Sequence, residues 1–335
     1  MRVISVCGGN GVICHPFKKY LLFNIEPRAV FHSRDNKQWY SNFECPLYKT
    51  IPRDTELAID LILGAPDCGH SSVLAYSRAK KLSNIKDNDS FKVFVEAVSK
   101  YNPKMFFMEN LTALFKNLSL KDFESLFPGY KIKMFESSVA NFGNSQITRV
   151  RLFIFGVRKD LRNSKAILKK IRKPELDKTQ LLKVKDLAPT CNYPDISLGH
   201  VREPEDSLIT IYAGKKLPYA EIKRLWLEDF KGLSRFPVND RKFTNAPGVY
   251  RNLPNKYPAT ARKQNRQYNP EGDMMTPREL ANIQGIPLSF NIYMEEDRLG
   301  YWINKGRITV TKCPPYEIGV WLKKLIVKLN KTQLL

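Results

Sequence analysis

A cysteine at the end of an apolar run is the first residue of this chain placed for chemistry. Ile59 to Leu63 has the length and composition of a buried strand, breaks at Gly64 and Pro66, and delivers Cys68 between Asp67 and Gly69. The carboxyl ends of strands in an open α/β sheet face the ligand crevice, where a thiol is positioned as a nucleophile. A buried structural cysteine is the competing reading, because free Cys packs as a small hydrophobe. A second apolar run, Lys104 to Met108, ends in Glu109-Asn110. A carboxyl group at such a strand mouth, beside low-dielectric walls, can have its pKa raised enough to hold or donate a proton; a solvent-facing strand end is the plainer alternative. Arg149 and Arg151 stand two apart on an apparently extended segment, so they point the same way and offer a pair of fixed donors, unless they are only edge-strand surface charges.

These residues need a scaffold, and the surrounding sequence describes one. Arg2 to Val6 reads as a short buried strand, followed by the turn Cys7-Gly8-Gly9-Asn10-Gly11 and then a helix. Glycines there let a ligand approach the backbone, and the helix N-terminus favours electronegative groups. The next apolar run, Tyr20 to Ile25, ends at Glu26, where an acidic side chain commonly accepts ribose hydroxyls, or is an ordinary solvated charge. Phe91 to Val98 has helical periodicity. Thr276 caps a helix with Pro277 at its first position and Gly285 as its stop. An amphipathic helix, Glu317 to Leu329, closes the chain and is expected to dock on the first domain.

The composition narrows the partners. The formal net charge is +22 with a sequence pI near 9.7, while aromatic content of 11% and hydrophobic content of 43% describe a folded chain. Such a balance selects a polyanion, nucleic acid before an anionic membrane. The 6 cysteines form no CxxC pair, so a reducing, intracellular compartment without a structural metal is expected. No leader or membrane-spanning run is read, and a monomer is the default. Beyond Gly156 the apolar strands give way to a Lys/Arg-rich, Pro-punctuated segment. We therefore expect one unit from residues 1–156 plus 275–335 and a second, basic unit from 157–274. In the latter, Lys169-Lys170-Ile171-Arg172-Lys173, Tyr250-Arg251 and Arg262-Lys263-Gln264-Asn265-Arg266 interleave basic side chains with Tyr and Asn, as phosphate positioning and base contact require; Arg251, Arg262, Lys263 and Arg266 are the DNA-binding candidates.

Taken in order, these blocks resemble the motifs of the cytosine-C5 DNA methyltransferase family. Val6-Cys7-Gly8-Gly9-Asn10-Gly11 resembles its FxGxGG cofactor loop, with Glu26 at the ribose-binding acid; Gly64-Ala65-Pro66-Asp67-Cys68 resembles the GxPPC nucleophile loop. Met108-Glu109-Asn110-Leu111 resembles ENV, and Gln146 to Arg151 resembles QxRxR with one extra residue after the Gln. Tyr257-Pro258-Ala259-Thr260, Asn269-Pro270, Arg278-Glu279 and Gln284-Gly285-Ile286-Pro287 are similar to the block after the recognition region. The resemblance implies a Rossmann-like S-adenosylmethionine-dependent methyltransferase domain with a smaller basic target-recognition domain, and double-stranded DNA in the cleft between them.

It further implies that Cys68 adds to C6 of a flipped-out cytosine, Glu109 serves N3, Arg151 holds O2 and Arg149 orients the nucleophile region, with methyl transferred to C5. Pro27, Pro66 and Thr311 join the loop and Glu26 as cofactor-binding positions. The chain departs from the family pattern at Asp67, which replaces a Pro, at Gly69-His70, at Val6, which replaces a Phe, at Tyr48, which lacks a neighbouring acid, and at Val310 to Pro315, which lacks the usual Gly-Asn. A tRNA cytosine methyltransferase and a DNA-binding protein with impaired turnover are the alternatives. An intracellular enzyme, of the cytoplasm or nucleoid and of a kind carried by viruses or mobile elements, fits the resemblance.

Overall fold

The computed structural model describes residues 1–27, 39–40, 42–53, 57–67, 88–113, 118–183, 249–251, 258, 266–268, 277–287, 289–290, 310 and 313–332, with backbone alone at 249–251, 266–268 and 277–279. Cys68, Thr311, Arg262 and Lys263 lie outside these residues.

Short apolar runs separated by turns become β1 (Val3–Val6), β2 (Leu21–Ile25), β3 (Leu47–Tyr48), β4 (Leu61–Gly64) and β5 (Met105–Asn110), followed by the longer β6 (Tyr130–Ser138) and β7 (Val150–Arg158). They form one sheet in the order β3-β2-β1-β4-β5-β7-β6. The strands from β3 to β5 pair in parallel, and β7 pairs antiparallel with both β5 and β6. Chain order reverses at β1, whose neighbours are β2 and β4, so the loops leaving β1 and β4 open side by side at a topological switch point. Val6 pairs with Gly64, and the Ala65 amide donates to the Cys7 carbonyl at 3.4 Å.

The central strands are buried on both faces, which is why they read as continuous apolar runs. Phe106 and Phe107 show the alternation: the first packs with Ile4, Ile62 and Ile154, the second with Phe17, Phe153 and Phe155. On the Phe106 face lies α1 (Asp89–Tyr101), with Phe91, Phe94, Ala97 and Val98 recurring at helical spacing toward the sheet. The shorter α2 (Leu120–Leu126) adds Phe123. On the Phe107 face lie α3 (Ser164–Lys170) and the C-terminal helix, preceded in sequence by α4 (Pro277–Ile283). That C-terminal helix, α5 (Tyr316–Lys331), docks on the sheet through Ile318, Leu322, Ile326 and Leu329, as its amphipathic pattern indicates.

One expectation needs correction. No α-helix follows the glycine loop. The chain makes a single 3-10 turn, His15–Phe17, containing Pro16, which lacks an N–H and so cannot donate to a helical ladder. The strand after Lys104 ends at Glu109-Asn110 as its sequence indicates, and Glu109 is buried within the sheet. Val157, Ile167 and Ile171 also belong to the core of the Phe107 face, and β7 runs on to Arg158 to pair with β6. Arg251 and Arg266 fall on β8 (Val249–Arg251) and β9 (Arg266–Tyr268), a separate parallel pair in which Val249 faces Arg266.

Gly64 closes the approach of β4 to β1. A Cβ there would lie 1.8 Å from the Val6 carbonyl oxygen and 3.1 Å from Phe94, and the first obstacle is backbone that cannot rotate away. Gly64→Ala is expected to cost about 3 kcal/mol, the upper part of the usual overpacking range. Urea unfolding should show a lower midpoint at unchanged slope. A midpoint equal to wild type would mean that the two strands part without penalty.

Candidate active site

The loop after β1 bends through left-handed backbone at Cys7 (φ 56°), Gly9 (φ 57°) and Gly11 (φ 84°). Cys7 is the one non-glycine of these, in a region that costs free energy for a side chain. Its amide donates to the Ile25 carbonyl at 2.8 Å and its thiol donates to the Ser90 carbonyl at 3.3 Å, so the strained residue is tied to β2 and α1. Gly8 has no room for a Cβ, which would lie 2.3 Å from Ser5 Oγ, whereas a Cβ on Gly9 would meet nothing within 4 Å. The loop is therefore packed below and open above. Glu26, buried at the end of β2, accepts from the Gly9 amide through Oε2 at 3.1 Å. Val6 is buried in the core beside this loop and Pro27 follows Glu26 directly. Asn10 leans on the C-terminal segment, its Nδ2 3.5 Å from Cys313 Sγ. Backbone amides, a carboxylate and open space at the end of parallel strands fit a nucleoside-bearing cofactor.

Pro66 and Asp67 lead from β4 into the Cys68 position. Asn110 Nδ2 donates to the Pro66 carbonyl at 3.1 Å and Asn88 Nδ2 donates to the Asp67 carbonyl at 3.0 Å. Glu109 lies next to Asn110 and pairs across the sheet with Phe153; Arg151, two residues before Phe153 on the same face, is its diagonal neighbour. Arg151 Nε stands 3.0 Å from Glu109 Oε1, but its N–H is not aimed at that oxygen, which has no aligned hydrogen-bond donor among the described residues. Burial pushes the Glu109 pKa up, and it outweighs the opposing pull of the Arg151 and Arg149 charges. A carboxyl group held in this way can carry a proton that an exposed one would lose.

The two arginines do not act as a matched pair. Arg149 lies in a turn before β7, its amide donating to the Gln146 carbonyl at 3.0 Å, and the residue inserted after Gln146 is accommodated by that turn. Its guanidinium reaches the Cys313 carbonyl at 2.8 Å and Gln284 Oε1 at 3.4 Å. Gln284 in turn receives Gln146 Nε2 at 2.8 Å and donates to the Val310 and Cys313 carbonyls, both at 3.3 Å. Asn144 joins this buried clasp by donating to the Ile283 carbonyl and to Glu317 at 3.0 Å. The clasp binds the segment after α4 and the start of α5 to the mouth of β7. Gln284 was legible as part of a motif and Cys313 stood in the closing one; Asn88 and Asn144 were missed, because a buried amide leaves no periodic trace in sequence.

Two titratable groups near this clasp oppose each other. Glu317 is pushed up to about 7 by burial, against the help of Asn144. His15 is pushed down to about 4 by burial and by Lys18; its ring lies among Phe43, Phe290 and Tyr316, and Nδ1 has no partner among the described residues. The unfolded chain binds more protons than the fold at His15 between about pH 6.5 and 4, so that contribution is lost as pH falls. At Glu317 the fold binds more protons between about 4.5 and 7, so that contribution is lost as pH rises. Each is worth about 3 kcal/mol, and their sum is nearly flat. Glu317→Gln should unmask the His15 slope, giving a variant that loses about 3 kcal/mol from pH 7 to pH 4 in urea titrations. A flat profile in that variant would rule out His15 as the buried acid-sensitive group.

Comparison with known proteins decides the family. A sequence model described as C-5 cytosine-specific DNA methylase matches residues 2–302. The chain belongs to that family. It is 36% identical over 109 residues to the Type II methyltransferase M1.HphI of Haemophilus parahaemolyticus, a stretch covering 30% of this chain and 28% of that enzyme. Three solved structures share the architecture over nearly its whole length. A protein assigned as a DNA modification methyltransferase encoded within an E. coli prophage aligns with TM-score 0.63 at 17% identity over 99% of both chains. The Entamoeba histolytica methyltransferase EhMeth gives 0.59 at 13% over 98% of both. The S. pombe Dnmt2 methyltransferase gives 0.60 at 10%, over 98% of this chain and 99% of the other. At these identities the likeness concerns the fold, the mixed seven-stranded sheet of these methyltransferases. No helix among the described residues is long and apolar enough to cross a membrane, and no group of three or more potential metal ligands occurs among them.

Proposed function

We propose that this methylase-family chain transfers a methyl group from S-adenosylmethionine to C5 of a cytosine extruded from double-stranded DNA. The observation that carries the reading is the buried Glu109, its pKa raised by burial, 3.0 Å from Arg151 on the strand adjoining the one that leads into Cys68. C5 of cytosine is a poor nucleophile. Addition of a Cys68 thiolate to C6 places electron density on C5, and that addition requires a proton or a strong hydrogen bond at N3, which Glu109 supplies. Arg151 holds the carbonyl O2 and keeps the carboxyl oriented. Arg149 acts at one remove, by fixing the clasp of Gln284 and Cys313. After C5 has taken the methyl group, a base removes the C5 proton, the Cys68 sulfur departs as thiolate and the N3 proton returns to Glu109, which restores the aromatic ring.

Val6 to Gly11, Glu26, Pro27 and Pro66 would hold the cofactor, with Thr311 at the closing segment, and the cofactor supplies an electrophilic methyl sulfonium. The open space above Gly9 and the amide-anchored Glu26 suit its ribose and amino acid portions. The basic segment containing Arg251, Arg262, Lys263 and Arg266 would grip DNA phosphates, so binding should weaken steeply with salt. The net charge of +22 supports a polyanionic substrate. We propose an intracellular monomer in which residues 157–274, apart from the core residues Val157, Ile167 and Ile171, carry target recognition.

The deciding experiment supplies methyl-labelled S-adenosylmethionine with duplex DNA or tRNA and digests the product to nucleosides. Label in 5-methyldeoxycytidine is expected. Label confined to tRNA would move the enzyme to an RNA substrate. Salt-sensitive DNA binding with no label in either would leave a binding protein.

A further inference from the structure

We propose that Asn88 is a positioning residue for the nucleophile, holding the carbonyl of Asp67 and thereby the peptide plane that leads into Cys68. The inference rests on the reading of Cys68 as nucleophile. Asn88 is 1% exposed and caps α1 in extended backbone (φ −76°, ψ 120°). Its Oδ1 accepts from the Ser90 amide at 2.9 Å and the Phe91 amide at 3.2 Å, while Nδ2 donates to the Asp67 carbonyl at 3.0 Å. The amide cannot be turned over: its NH₂ would then face two N–H donors and its oxygen would face a carbonyl. One planar group therefore serves the helix and the loop in opposite directions.

The cap alone does not require asparagine. Aspartate and serine cap helices about as well, yet neither, with its usual protonation and reach, presents an acceptor to the helix and an N–H to the loop together. On the other side of the same loop, Asn110 Nδ2 holds the Pro66 carbonyl at 3.1 Å while its own Oδ1 accepts from the Leu111 amide at 2.8 Å. Two consecutive carbonyls immediately before Cys68 are thus held by two buried amides, from the end of β5 and the start of α1. A peptide unit is planar, so fixing the Asp67 carbonyl sets the orientation in which the chain enters residue 68. Sulfur and target carbon must meet within a narrow range of distance and angle, and small misplacements of such a group are costly.

The test compares full-length wild type, Asn88→Asp, Asn88→Ser, Asn88→Ala and Cys68→Ser. Melting temperature, labelled methyl transfer to DNA from a non-methylating host, and the pH dependence of Cys68 alkylation by iodoacetamide are measured. Asn88→Asp and Asn88→Ser keep the cap but remove the donor to Asp67, so they should melt below wild type yet above Asn88→Ala, and should transfer methyl about 100-fold more slowly, at a DNA KM within about threefold, with a shifted alkylation profile. Asn88→Ala should lose both stability and rate. Wild-type transfer and alkylation in Asn88→Asp and Asn88→Ser, with Cys68→Ser inactive, would overturn the positioning role and leave the nucleophile in place. Equal destabilisation of all three Asn88 variants, with rates falling only in proportion, would also overturn it. Full activity in Cys68→Ser would instead remove the nucleophile assignment itself, and this inference with it.

Discussion

Cys68→Ala is expected to abolish methylation of DNA, lowering transfer by on the order of 10⁴-fold or more, while leaving salt-sensitive DNA binding intact. The size follows from the chemistry. Without a group adding to C6, the C5 carbon does not become nucleophilic, and neither Glu109 nor Arg151 can substitute for a covalent bond. The basic segment proposed to bind phosphates is separate from the thiol in sequence, so affinity should survive. Duplex DNA carrying 5-fluorocytosine gives an independent readout. Fluorine cannot leave C5 as a cation, so elimination stops and wild type should form a protein–DNA complex that withstands denaturation, whereas Cys68→Ala should form none. A variant that keeps methylating, or an adduct that forms without Cys68, would refute covalent catalysis by this residue.

Glu109→Gln is expected to slow transfer by about 10²- to 10⁴-fold, the range for loss of a positioned acid or base. Gln is nearly isosteric and can still donate a hydrogen bond to N3, but it cannot transfer a proton. The pH dependence separates these roles. Burial raises the Glu109 pKa against the Arg151 and Arg149 charges, so wild-type activity should fall as rising pH removes the carboxyl proton. That alkaline limb should vanish from the single-turnover profile of Glu109→Gln, leaving a slow and flatter curve. Wild-type speed in the variant, or an unchanged limb, would show that N3 is served by another group. Arg151→Lys should be a poor replacement, since a point charge on a flexible stem cannot keep the planar guanidinium that stands 3.0 Å from Glu109 across the two strands.

The residues that set up this chemistry differ in how legible they were. The placement of Glu109 at the end of a buried strand could be read from sequence because it follows an apolar run, and in a parallel sheet the ends of such runs gather at one edge. The glycine turn after β1 could be read for a similar reason: left-handed backbone at Gly9 and Gly11 requires residues without a Cβ penalty. The spacing of Arg149 and Arg151 misled, because alternation holds only inside a strand and β7 begins at Val150. The helix expected after the glycine loop failed at Pro16, where the missing donor limits the chain to a 3-10 turn.

By itself, then, the sequence determined the class of fold and the family, since these depend on the period of apolar residues, on local backbone chemistry and on the order of short motifs. Only the tertiary structure decided which polar groups are buried together. The clasp of Gln146, Gln284, Arg149 and Cys313 joins residues more than a hundred positions apart, and the amides of Asn88 and Asn110 converge on consecutive carbonyls from different elements. Burial makes such hydrogen bonds obligatory, because an unsatisfied polar group is costly away from water, and burial is a property of the packed sheet and helices rather than of any short stretch of chain.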